Sequence, residues 1–130
     1  MPKQVTPSPE PTEGELAILN TLWQRGPSTV RQVHEAICTD GSTRYTTTLK
    51  QLQVMTQKRL VKRDASQKSH VYSAAIEESG IKRHLVADVI DRVFGGSVRK
   101  MVLHALEARD VNGEELAEIK RLLDEREKSQ

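Results

Sequence analysis

Thr46, Thr47, Lys50, Gln51, Gln53 and Val54 fall within nine consecutive residues, in a stretch with no Gly, Pro or acid. If residues 45–59 are helical, steps of about 100° put Thr47, Lys50, Val54 and Gln57 along one face, with Thr46, Gln51, Gln53 and Lys58 beside it. Tyr45, Thr48, Leu49, Leu52, Met55 and Thr56 take the opposite face, which is expected to pack inward. Hydroxyls, amides and an ammonium can exchange hydrogen bonds with base edges, and valine can touch a thymine methyl. An α-helix fits the major groove. The six residues are therefore candidate base readers.

The chain then reads as two short strands, residues 60–65 and 70–75, joined by the polar turn Ser66-Gln67-Lys68-Ser69. Between Arg44 and Lys68 stand seven basic residues (Arg44, Lys50, Lys58, Arg59, Lys62, Arg63 and Lys68) against one acid, Asp64. This segment is +6 in a chain whose formal net charge is only +2. Charge concentrated in this way marks a docking site for a polyanion. Half or more of protein–DNA hydrogen bonds go to the backbone, so Arg44, Gln57, Lys58, Arg63, Lys68 and His70 are expected to hold phosphates rather than read bases. Leu60 and Val61 belong to the core of the hairpin.

Other reactive residue types carry less. His34 and Cys38 are four residues apart on one helical face, a spacing that can hold a metal ion, but two ligands do not make a site. Cysteine is among the most buried residue types, which favours a structural role. His84 has Asp88 one turn on and His104 has Glu107, each a lone pair of a kind common on charged helices. No metal or other cofactor is expected. No nucleophile, base and orienting group form a recognisable motif, and no Gly-rich loop follows a strand, so no catalytic residue is assigned and the chain is not expected to be an enzyme. Gly95-Gly96 most simply permits a tight turn between helices.

The elements that must position the helix and hairpin are legible on either side. With 130 residues and 3% aromatic content, the chain fits one small, mostly helical domain plus an element that completes its core with a partner. Up to Ala75 basic residues outnumber acidic ones by four; from Ile76 onward the acids lead by two. The lone Cys38 excludes an internal disulfide framework. No apolar run approaches the length of a membrane span, and the Pro-rich start lacks the apolar core of a signal peptide, so the expected location is cytoplasmic and away from membranes.

Residues 1–11 hold four prolines and few apolar side chains and are expected to be disordered. Thr12 and Glu15 form a capping box ahead of an apolar stripe of Leu16, Leu19, Leu22 and Trp23, which ends at Gly26-Pro27. Ser28 or Thr29 can cap a second helix carrying Val30, Val33 and Ile37. Trp23 is expected to anchor the core. Residues 12–76 are thus one domain. Residues 77–130 read as three amphipathic helices, with Leu85, Val89, Val102, Leu106, Leu116, Ile119, Leu122 and Leu123 among their apolar positions. Short helices of this total length cannot enclose a sufficient core, so these positions are expected to bury against a second copy. Glu114 or Glu118 is expected to pair with Lys120 or Arg121 on the solvated side of the last helix.

Over residues 13 to about 126 the sequence resembles the BlaI/MecI/CopY family of bacterial repressors. The matching residues are Leu22-Trp23, Tyr45-Thr46-Thr47, Lys58-x-Leu60-Val61, Val71-Tyr72 and Phe94-Gly95-Gly96-Ser97, in that order and spacing. The resemblance implies a winged-helix dimer that sits on an inverted-repeat operator and blocks transcription. Antibiotic-responsive members are cut by a metalloprotease at an Asn-Phe bond where this chain has His104-Ala105. Copper-responsive members end in paired cysteines, whereas these residues end Glu127-Lys128-Ser129-Gln130. Arg is common in the family where Val54 stands, and Gly is usual where Arg59 stands.

Together these readings predict a mainly α fold: an N-terminal winged helix-turn-helix domain with a small β-hairpin wing, followed by a three-helix dimerisation arm. The expected function is that of a homodimeric, DNA-binding transcriptional repressor whose partner is a double-stranded operator. An upstream sensor or protease is not identifiable from the residues. The rival is a winged-helix module that docks an acidic protein, against which the short hydroxyls near the start of the helix argue.

Overall fold

A computed structural model describes residues 10–66 and 68–130. The expected disordered tail, up to position 9, and Gln67 of the hairpin turn lie outside the described residues. The elements run α1 (Glu13–Arg25), β1 (Ser28–Thr29), α2 (Val30–Ile37), α3 (Tyr45–Gln57), β2 (Val61–Asp64), β3 (Val71–Ala74), α4 (Glu78–Phe94), α5 (Val98–Ala108) and α6 (Gly113–Lys128). The three strands form one antiparallel sheet in the order β1-β3-β2.

Local chemistry starts the first two helices. The Thr12 hydroxyl accepts from Glu15 N–H at 3.1 Å while Thr12 N–H donates to Glu15 Oε1 at 3.0 Å. Both halves of the capping box are therefore made, satisfying donors that a helix start would otherwise leave unpaired. Thr29 repeats the device with Gln32, so Thr29, not Ser28, is the cap of α2. The chain between them turns at Gly26, whose φ of 85° lies in the region glycine adopts without penalty.

One core unites α1, α2, α3 and the sheet: Ile18, Leu19, Leu22, Val30, Val33, Leu52, Met55, Leu60, Val61 and Tyr72. Burying each large aliphatic side chain contributes about 1.5–3 kcal/mol. Ser28 pairs with Tyr72 and Thr29 with Val71, so a two-residue strand ahead of α2 covers the outer edge of β3. That strand was not foreseen from the sequence. The hairpin register sets Arg63 opposite Tyr72 and Lys62 opposite Ser73. The indole N–H of Trp23 donates to Ile76 C=O at 3.2 Å, tying α1 to the residues leading into α4.

The chain divides into two compact units, and the first runs through Leu85, taking in the first turns of α4. Lys82 lies over the Trp23 ring at 5.6 Å, and His84 reaches Glu10 at 3.4 Å rather than Asp88, which binds Arg92 instead. The second unit, from Val86, holds the rest of α4 with α5 and α6. Neither α5 nor α6 has a buried residue. Side chains of Ser97 and Asn112 cap these two helices. Arg121 binds Glu118 at 3.0 Å and Glu125 at 3.3 Å, so Glu118 is the acid that pairs.

α3 ends two residues short of the expected 59. Leu60 N–H donates to Met55 C=O at 2.9 Å and Arg59 N–H to Thr56 C=O at 3.1 Å, the paired bonds of a Schellman termination. This geometry requires a left-handed residue after the cap, and Arg59 supplies it with φ 66°, the one positive φ at a non-glycine among the described residues. The left-handed conformation costs a residue with a Cβ roughly 1–2 kcal/mol. Arg59→Gly is therefore expected to raise unfolding stability by about 1 kcal/mol, read as an increased urea midpoint with an unchanged slope.

Candidate nucleic-acid interface

The inner face of α3 fixes how the helix is rotated about its axis. Thr48, Leu52 and Met55 are fully buried. Thr48 Oγ1 also sits 2.8 Å from His34 Nδ1 of α2, and the imidazole packs edge-on to the Tyr45 ring at 5.8 Å. Since the residues of a helix are fixed relative to one another, this leaves Thr46, Thr47, Lys50, Gln53 and Val54 on the exposed side. Two of the three consecutive threonines therefore face outward and the third is a buried polar contact.

Gln51 departs from the other candidate base readers. It is only partly exposed, and a Cβ built on Gly14 would lie 2.5 Å from its Nε2, so its amide is laid against α1. A side chain at position 14 would make the Gln51 amide swing away from α1.

The hairpin stands beside α3, with two clefts between them. One, of about 350 Å³, is lined by Gln53, Thr56, Gln57, Arg63 and Tyr72. The other, of about 450 Å³, runs from the wing tip at Lys68, Ser69 and His70 to Tyr45 and Leu49 of α3 and the start of α2. The expected phosphate holders Gln57 and Arg63 thus share one cleft, and Lys68 and His70 share the other. Arg44 is the N-cap residue of α3 and is exposed, and the helix start has no side-chain cap hydrogen bond. Asp64, the lone acid of the basic segment, is tied into the turn: hydrogen bonds from the Ser66 hydroxyl and N–H hold its carboxyl below the usual range.

Lys58 is engaged elsewhere. Its Nζ lies 2.8 Å from Glu15 Oε2, with side-chain exposures of 36% for the lysine and 6% for the glutamate. Burial by itself would push the Glu15 carboxyl up. Bonds from the Lys58 ammonium and the Thr12 backbone outweigh that and set it below its ordinary value of 4.5. One carboxylate thereby caps α1 through one oxygen and holds the end of α3 through the other. The sequence could not pair residues 43 apart, so Lys58 looked like a free cation.

Other residues set aside in the sequence have local bonds. Cys38 Sγ lies 3.2 Å from Thr43 C=O and 3.1 Å from Thr43 N–H, closing the loop ahead of α3. Among the described residues no group of three or more His, Cys, Asp or Glu could hold a metal ion, and no helix is long and apolar enough to cross a membrane. Arg31 is a functional candidate that the sequence reading missed. Its guanidinium sits 5.5 Å from the centre of the Tyr45 ring, on the rim of the larger cleft.

Three helices with a hairpin beside the third, and a polar and cationic surface along both, define a winged-helix DNA-binding protein. The model of the penicillinase repressor family matches residues 11–125, and the chain belongs to this family of transcriptional repressors. It is 31% identical over 115 residues to "Transcriptional regulator BlaI" of Mycobacterium tuberculosis, covering 87% of this chain and 82% of that one. To "Methicillin resistance regulatory protein MecI" of Staphylococcus aureus it is 24% identical over 119 residues, covering 90% of this chain and 95% of the relative. A solved MarR family protein from Bacillus stearothermophilus superposes with a TM-score of 0.48 at 19% identity, over 91% of this chain and 74% of that chain.

Glu15 gives a pH prediction. Its carboxyl is held low in the folded state, so its contribution to stability is complete above the unfolded value near 4.5 and is lost as pH falls through the lower folded value. Glu15→Gln is expected to cost about 1–2 kcal/mol at neutral pH, a figure kept modest because the lysine is partly solvated. The variant should also flatten the acid limb of stability against pH below about 4.5, measured by urea unfolding across a pH series.

Proposed function

We propose that the protein is a homodimeric repressor that grips an inverted-repeat operator, one α3 in the major groove of each half-site. The observation that carries this reading is the exposed row Thr46, Thr47, Lys50, Gln53 and Val54, held outward by a buried inner face and flanked by a basic hairpin. In this reading Thr47, Lys50 and Val54 lead the base contacts. Val54, 36% exposed, offers a methyl-sized apolar contact suited to thymine. Arg44, Arg63, Lys68 and His70 take phosphates, with Gln57 beside Arg63. Lys58 and Gln51 are left out of the contact set, since each is turned toward α1.

The dimer is supported by the state of the second unit. Val102, Leu103, Leu106, Leu116, Leu122 and Leu123 are exposed, while Val89 and Ile119, like Leu85 at the end of the first unit, are only half-covered. So many large apolar side chains on consecutive helices would carry a substantial hydration cost in a lone chain, and a second copy offers self-complementary stripes to cover them. The BlaI and MecI relatives align along nearly the whole of this chain, arm included.

Selection of duplexes from a random pool by the purified protein should return an inverted repeat. On that site, about 6 to 10 phosphate contacts give a log–log salt slope of roughly −5 to −9, and affinity nearly independent of salt would refute the reading. Thr47→Ala and Lys50→Ala should weaken specific binding more than binding to random duplex, whereas Lys68→Ala should weaken both about equally.

Leu122, at 55% exposure, cannot disturb a monomer much when it is changed. Leu122→Asp should nevertheless shift the protein from dimer to monomer in sedimentation velocity, with loss of high-affinity operator binding. A dimer that persists in this variant would remove the arm from the interface.

A further inference from the structure

The larger cleft beside α3 has a composition suited to more than a single phosphate oxygen. Its floor is apolar, formed by the buried Val30 and Tyr72 with the half-buried Leu49, and the exposed Arg31, Lys68 and His70 stand on its rim. None of its lining residues among those described is acidic. The Arg31 guanidinium forms no ion pair with the described residues; the Tyr45 ring, 5.5 Å away and 40% exposed, braces it. A sugar-phosphate strand has matching chemistry, with a weakly polar deoxyribose for the floor and an anionic diester for the rim. Geometry places such a strand here. When a helix lies in the major groove and a neighbouring hairpin reaches toward the next minor groove, the backbone dividing the two grooves must pass between them.

We propose that this cleft is the channel for that dividing strand, and that Arg31 of α2 clamps one of its phosphates together with Lys68 and His70. The assignment rests on the operator-binding reading above and adds α2 to the contact surface. The aromatic brace matters because a guanidinium held over a ring has fewer rotamers to lose when it closes on a phosphate.

The test uses the full-length protein on the selected operator, with titrations across a salt series for wild type, Arg31→Gln, Arg31→Lys and Lys68→Gln. Each phosphate contact is worth about 0.9 in the log–log slope, so Arg31→Gln should make the slope of the dimer shallower by about 1.8. Arg31→Lys should restore most of it. Phosphate ethylation interference on wild type should mark one phosphate per half-site at the border between the contacted major groove and its neighbouring minor groove. That mark should fade with both Arg31→Gln and Lys68→Gln. A steep wild-type slope with no change of slope or ethylation pattern in Arg31→Gln would overturn the channel and leave the operator reading intact. Wild-type binding nearly independent of salt would overturn both. Arg31 is exposed, and thermal melts check that its variants remain folded; if Arg31→Gln unfolds, loss of the mark in Lys68→Gln and its retention in Arg31→Lys carry the test.

Discussion

Complete burial of Thr48, Leu52 and Met55 is the constraint on which the rest of the molecule depends. An α-helix has no freedom to present one face independently of the other, so packing these three residues against α1, α2 and the sheet also decides which side chains face solvent. Much of the remaining fold can be understood as holding this rotation steady. The Thr48 hydroxyl is satisfied by His34, and the C-terminal end is fixed both by the Schellman bonds and by the Lys58–Glu15 pair. A rotation by one residue would bring a buried hydroxyl to the surface and drive Lys50 or Val54 toward the core.

Charge in the basic segment is divided between two tasks. Lys58 offsets the buried Glu15 carboxylate, while Lys68 joins Arg31 and His70, from outside the segment, on the rim of a cleft with no acid among its described lining residues. Placement therefore matters more than net charge, and a chain of only +2 can present a strongly cationic surface along one helix and hairpin. Asp64 fits the same division, since its carboxylate is occupied by Ser66 in the turn.

How much was legible in advance follows from the range of each interaction. The first capping box, a cap for α2 at Ser28 or Thr29, most of the inner and outer faces of α3, the hairpin and the three later helices rest on residues a few positions apart and were legible in spacing. Tyr45, read as inward, is instead 40% exposed. β1 was not legible, because two residues leave no periodic trace and its partner strand lies more than forty positions away. Separations of 43 and 37 positions hid the Glu15–Lys58 pair and the approach of Gln51 to Gly14, two contacts that turn candidate DNA-facing side chains toward α1. Arg59 marked its own position only as an unusual residue in a family motif; the left-handed backbone that makes the position special emerges from the way α3 stops. The contacts of Lys82 with Trp23 and of His84 with Glu10 likewise leave no mark in hydropathy.

The small sheet also bears on how the molecule avoids unwanted association. Its central strand is paired on both sides, by a two-residue strand on one flank and by β2 on the other, and β2 itself is four residues long with Lys62, Arg63 and Asp64 exposed. Short margins and ionic side chains discourage another chain from extending a sheet. A sheet built in this way offers little that the wing of a second molecule could extend.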